Sequence, residues 1–179
     1  MRSAGGAHPL LTYQKELENM NDDCSDTLRF LPVALDLRDK RCLVVGGGNV
    51  GTRKAITLAR AGAVVTVVSP ALSDELAQRI EAGQMRRLKD SFREGHLEGV
   101  FLAVAATDDD AQNATIVQLA TRRGVLICDA SSAERSGVIF GALLEKGDVA
   151  VAVFTGGRDP ALARRTRDRI ANLLGEERG

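Results

Sequence analysis

The chain has 179 residues, 44% of them hydrophobic and 27% charged, an ordinary globular composition with length enough to bury a core. Its 24 basic and 24 acidic residues cancel, and there is no tryptophan and only 3% aromatic residues, so neither a nucleic-acid partner nor an anionic membrane surface is indicated. No apolar run approaches the ~20 residues of a membrane span, and the N-terminus shows no secretory h-region.

Three cysteines, Cys24, Cys42 and Cys128, make an odd count without a C-x-x-C pair, which predicts reduced thiols and a cytoplasmic setting. Residues 1–27 are polar and aperiodic and read as a loosely ordered tail, with Met20 as an alternative start. From Leu28 to Asp39 the apolar residues Val33, Leu35 and Leu37 alternate, which predicts a short edge strand before a turn at Asp39-Lys40.

Cys42 to Val45 is a continuous apolar run suited to a strand buried on both faces. Gly46, Gly48 and Gly51 follow in G-x-G-x-x-G spacing and lead into a helix through Thr52–Ala59. Strand, glycine turn and helix in that order form a dinucleotide-binding fingerprint. The first glycine allows the turn, the second lets a pyrophosphate approach the backbone, and the third lets helix and strand pack closely. A glycine run that merely makes a tight turn is the plainer alternative, and no G-K-[ST] supports a Walker loop.

The remaining elements alternate. A β-branched strand at Val64–Val68 is followed by a helix capped by Ser73 over 74–82, and then by strands at 85–88 and 100–106. A helix over 109–123 and a strand at 125–128 ending at Asp129 complete the pattern, which predicts a Rossmann-type parallel sheet with helices on both faces. After Ser131 the rhythm changes to two strands, 138–144 and 149–154, joined by the turn Glu145–Asp148. That is a small antiparallel hairpin, followed by a helix over 161–174. The domain reading is a tail (1–27), an NAD-binding domain (28–130), and the two added strands with a C-terminal helix (131–179).

Candidate cofactor residues are Gly46, Gly48, Asn49, Val50 and Gly51 in the turn, Ser69 and Pro70 after the second strand, and Thr107 and Asp108 after the fourth. Ser69 stands where an acid usually meets the adenosine ribose, and no arginine stands beside it, so NAD is favoured over NADP. Asp109 or Asp110 is expected to cap the following helix. Asp129 admits two readings: a general acid or base whose pKa is raised beside an apolar wall, or a loop-initiating Asx turn. Thr155-Gly156-Gly157 reads either as a second anion nest or as a glycine-permitted turn, with Arg158, Arg164 and Arg165 suited to a polycarboxylate. His8 and His96 lack partners at metal-ligand spacing; no metal site is predicted, and His96 is read as a surface residue.

The segments L-P-V-A-L-D-L-R-D-K-R-C-L-V-V-G-G-G-N-V-G-T-R-K-A, V-V-S-P, A-A-T-D-D and F-T-G-G-R-D-P-A-L-A-R together resemble the precorrin-2 dehydrogenase/sirohydrochlorin ferrochelatase family, the N-terminal module of siroheme synthase. The resemblance covers about Leu31 to Leu174. It implies NAD-dependent oxidation of precorrin-2 to sirohydrochlorin, with Fe²⁺ insertion in some members, Asp129 as the catalytic carboxylate, and a homodimer made through Val138–Phe154. Three departures stand out: Leu126 replaces the asparagine of N-x-x-D, the loop Ser131–Gly137 is longer, and the chain stops at Gly179 where relatives continue into a helical domain over the substrate cleft. The expectation is therefore a dehydrogenase rather than a chelatase. A non-catalytic NAD-sensing or tetrapyrrole-binding module is the alternative.

Overall fold

The computed structural model describes residues 29–176, so the expectations for the 1–27 tail, Met20, Cys24 and His8 lie outside the described residues. The first strand, β1 (Arg41–Val45), is the centre of the sheet, and Cys42 to Val45 are at most 2% exposed. It pairs in parallel with β2 (Val64–Val68) on one side and β4 (Leu102–Ala105) on the other. Outside these lie β3 (Arg86–Leu88) and β5 (Leu126–Asp129), in the order β3-β2-β1-β4-β5.

Helices cover both faces. α1 (Asn49–Arg60) and α2 (Asp74–Glu81) pack on the face carrying Val44, Val67 and Val104, with Leu58 and Leu76 fully buried. α3 (Asp110–Arg122) packs on the face carrying Leu43, Val45 and Ala103 through Ile116 and Ala120. Because alternate residues of one strand serve opposite cores, each apolar side chain in β1 is enclosed, and each contributes about 1.5–3 kcal/mol.

The expected edge strand before β1 does not form. Leu31, Val33 and Leu35 are exposed and only Leu37 is buried. β1 itself is flanked by β2 and β4, and the chain leading into it pairs with none of the strands of the sheet. It turns instead at Asp39, which adopts a left-handed φ of 61°, with the Asp39 N–H bound to the Gly62 carbonyl.

The hairpin is present but begins later than its sequence pattern suggests, as β6 (Ala142–Lys146) and β7 (Val149–Val153) around Gly147-Asp148. Residues before it are used elsewhere. The Gly137 and Val138 N–H groups both donate to the Ile127 carbonyl, and Val138 and Phe140 pack on the sheet core. α4 (Pro160–Glu176) follows, and Pro32 onward forms one compact unit. Among the described residues no helix is long and apolar enough to cross a membrane.

Candidate functional site

The chain enters the sheet at its middle, runs outward to β3, then returns to the other side of β1 at β4. That reversal leaves a crevice beyond the carboxyl ends of β1 and β4, where ligands of this architecture bind. A cleft of about 560 Å³ lies there, and of the nine predicted cofactor residues only Gly51 is not on its wall.

Gly46 takes φ 115°, and a Cβ on it would come within 2.2 Å of the Ala106 carbonyl oxygen, so only glycine fits. Gly48 is different: nothing lies within 4 Å of the position its Cβ would occupy. It is the N-cap of α1, with no side-chain cap and no acid in the first turn. The helix therefore presents uncapped N–H groups and its positive dipole end to open space, which fits a pyrophosphate.

The adenosine end is more braced than the sequence suggests. The Ser69 hydroxyl donates to the Ala71 carbonyl at 2.6 Å, so its proton is not directed at a ribose. An arginine does reach this place: Arg87 of β3 donates to the Pro70 carbonyl at 2.8 Å and to that of Ser69 at 3.3 Å. Asp90, Ser91 and Phe92 also enter the wall of the cleft. Arg87 belongs to the neighbouring strand and the other three to the loop that follows it, and the parallel register of Val68 with Leu88 brings them here.

On the other side, Thr107 is fixed by buried Asn113, whose Oδ1 accepts the Thr107 hydroxyl at 2.7 Å and its N–H at 3.1 Å. Asp108 stays exposed on the cleft. Asp109 caps α3, its carboxylate accepting the Gln112 N–H at 3.0 Å.

Asp129 ends β5 beside Ala105, which in turn lies beside Val45, so the three residues stand side by side where the strands stop. Its side chain has no exposed surface. Oδ1 accepts the Ser131 hydroxyl at 2.6 Å and the Ser131 N–H at 2.9 Å, an Asx turn, while Oδ2 accepts Arg135 Nε at 2.6 Å. Burial alone would raise its pKa, but the Ser131 hydroxyl, the Arg135 guanidinium and the Ser131 N–H together hold it below the usual carboxylate range. The raised pKa expected beside an apolar wall is not found: these donors favour the ionised carboxylate, and the Asx turn is formed. Ser136 closes the loop, accepting the Asp129 N–H at 2.8 Å and donating to the Ser132 carbonyl at 2.9 Å.

A second groove of about 460 Å³ lies between α1, the hairpin and α4. Arg53, Lys54, Arg60, Arg164 and Arg167 line it over Phe140 and Phe154; Glu145 is there too and pairs with Arg60. Lys54 sits 4.1 Å from the centre of the Phe140 ring. Of the three arginines singled out by sequence only Arg164 is in this groove. The Thr155–Gly157 segment forms a turn closed by the Arg158 N–H on the Thr155 carbonyl at 3.0 Å, and the Asp159 carboxylate caps α4 through the Leu162 N–H at 2.8 Å. Nor is His96 a surface residue: its side chain is 17% exposed, and Nδ1 accepts the Arg93 N–H at 3.1 Å in the short 3₁₀ turn Glu94–Leu97. Among the described residues no group of three or more His, Cys, Asp and Glu is arranged around a metal ion.

Residues 33–142 match the family described as "Putative NAD(P)-binding". Siroheme synthase of Photobacterium profundum is 41% identical over 150 residues, which is 84% of this chain and 32% of that protein. Siroheme synthase of Chromobacterium violaceum is 42% identical over 147 residues, 82% of this chain and 31% of that one. The chain thus spans about a third of the length of these curated relatives. The solved structure titled "SirC, precorrin-2 dehydrogenase" superposes with a TM-score of 0.71 at 31% identity, covering 80% of this chain and 71% of that one. With this fold, this glycine cleft and these matches, the chain belongs to the NAD(P)-binding family of precorrin-2 dehydrogenase and siroheme synthase.

Proposed function

We propose that the chain is an NAD-dependent oxidoreductase that converts precorrin-2 to sirohydrochlorin in siroheme and modified-tetrapyrrole biosynthesis. The observation that carries this reading is the alignment of Val45, Ala105 and Asp129, which puts the glycine turn and an ionised carboxylate at one edge of the sheet. Gly46, Gly48, Asn49 and Val50 form the pyrophosphate cradle and Gly51 lets α1 pack closely behind it, Ser69 and Pro70 border the adenosine end, and Thr107 and Asp108 face the reacting end.

The oxidation removes a hydride and a proton from the macrocycle. Bound NAD⁺ supplies the hydride acceptor. Asp129 accepts the proton, and the Ser131 and Arg135 donors that surround its carboxylate keep it in the basic form beforehand. The cationic groove with its aromatic floor suits a flat polycarboxylate, with Arg53 and Arg164 offering charge to acidic side arms.

The same reading takes residues 28–130 as the cofactor domain and 131–179 as the pairing segment, after a tail over 1–27. The homodimer forms through the hairpin, where Leu143 and Val149 are exposed. The free, buried thiols of Cys42 and Cys128 fit a reducing cytoplasm. Fe²⁺ would enter as a second substrate only if the chain also chelates.

The test is anaerobic incubation with enzymatically generated precorrin-2 and NAD⁺, following NADH and the sirohydrochlorin spectrum together, with Fe²⁺ or Co²⁺ added second. Turnover should require NAD⁺, and Asp129→Ala should lower kcat by about 10²–10⁴-fold. Tight NAD binding without turnover would sink the enzyme reading and leave the sensing or tetrapyrrole-binding module.

A further inference from the structure

Asp129 is six residues from the arginine that holds it, and the intervening loop is built to bring the two together. Ser131 turns the chain back onto the Asp129 carboxylate, Ser136 ties the far end to the Asp129 backbone, and Ala133 packs against Gly157, where even a methyl group would overlap it. Arg135 then uses all three guanidinium nitrogens. Nε donates to Asp129 Oδ2 at 2.6 Å, Nη1 to Asp110 Oδ2 at 3.0 Å, and Nη2 to Ser131 Oγ at 3.2 Å and to Asp110 Oδ1. The exposure falls inward along this chain of charges: Asp110 69%, Arg135 32%, Asp129 none.

We propose that Arg135 is a positioning residue for Asp129, its guanidinium fixing that carboxylate in one orientation and in its charged form between β5 and α3. A carboxylate with no exposed surface and no cation beside it would be neutral and of no use as a base. The outer carboxylate of Asp110, one residue past the cap of α3, keeps the guanidinium from turning out to solvent. Other titratable groups nearby are the Cys128 thiol on β5 and, beyond it, Lys54 on α1. Burial raises the thiol and lowers the lysine, and the carboxylate's hydrogen bonds come from Ser131 and Arg135 instead. The catalytic value of this arrangement rests on the reaction proposed above; the arrangement itself does not.

The test is therefore made on two readouts. Full-length chain with ¹³C-labelled aspartate is titrated by NMR for the wild type, Arg135→Gln, Arg135→Ala and Arg135→Lys, with Asp129→Asn to assign the signal. In Arg135→Gln, which keeps much of the side chain's reach and its capacity to hydrogen-bond, Asp129 should titrate roughly one to three pH units higher than in the wild type, and Arg135→Lys should recover part of the difference. The acid limb of kcat/KM should move by the same amount, with NADH affinity unchanged because Arg135 is not on the cofactor cleft. An Asp129 titration unmoved in Arg135→Gln, or a pH profile that only scales down, overturns the proposal. Should the wild type show no turnover, the functional reading fails by itself, and the NMR titration still decides the role of Arg135. The Gln and Lys variants keep the test available if the Ala variant fails to fold.

Discussion

Gly46 and Gly48 stand two residues apart in one turn yet answer to different constraints. Gly46 is pressed against the backbone of Ala106, whereas the space beside Gly48 is open. Gly46→Ala should therefore act on the fold, lowering Tm. Gly48→Val should cost the fold only about 1 kcal/mol, as a poorer N-cap, while weakening NADH binding by about tenfold or more, measured by fluorescence titration, because its side chain projects into the open space of the pyrophosphate position. Equal loss of Tm in both variants would contradict that division. Asp129 adds a pH dependence with a definite sign. Its native pKa lies below the ordinary 3.8, so its contribution to stability is complete above that pH and is lost as the pH falls through the lowered native value. Acid unfolding followed by circular dichroism should accordingly be less steep for Asp129→Asn than for the wild type.

At the scale of elements, α3 links the cofactor crevice to the carboxylate. Its cap, Asp109, holds the first turn, Asp110 anchors Arg135, and Asn113 fixes Thr107 while its Nδ2 lies 3.3 Å from Ser131 Oγ. Asp109→Ala should cost about 1 kcal/mol in denaturant unfolding, the usual worth of an N-cap. Asn113→Ala should cost more, about 1–3 kcal/mol, since it strips partners from a buried network. It should also weaken cofactor binding, which the cap variant should not.

For the whole molecule, the two cores and the hairpin make separable predictions. Leu58→Ala and Ile116→Ala empty opposite faces of one sheet and should each cost about 2–5 kcal/mol. Under the proposed pairing, Val149→Glu on the exposed hairpin should shift sedimentation from dimer to monomer without unfolding the sheet. If the basic groove takes substrate carboxylates, Arg53→Glu with Arg164→Glu should raise KM for the tetrapyrrole at least tenfold and leave NAD binding alone.

The chain's own order was enough for the architecture. Apolar β-branched runs too short to be helices, spaced by amphipathic segments, have one economical arrangement, and the G-x-G-x-x-G after β1 marks where its crevice must be. Local chemistry was legible for the same reason: Ser73 and Asp109 cap the helices they precede because a cap is settled within three or four residues. What needed the tertiary structure was every contact made across strands or loops. Parallel register brings Arg87 to the Ser69 and Pro70 carbonyls and Asp90 to the crevice, Asn113 reaches Thr107 from the first turns of a helix, and the alternating segment before β1 pairs with no strand of the sheet. Asp129 shows the division most plainly. Its place at the end of β5 follows from the sequence, but whether it is acid or base depends on which groups surround it, and Arg135 joins that set only when the loop folds back. Charge state is a property of three-dimensional surroundings, and no periodicity along the chain encodes it.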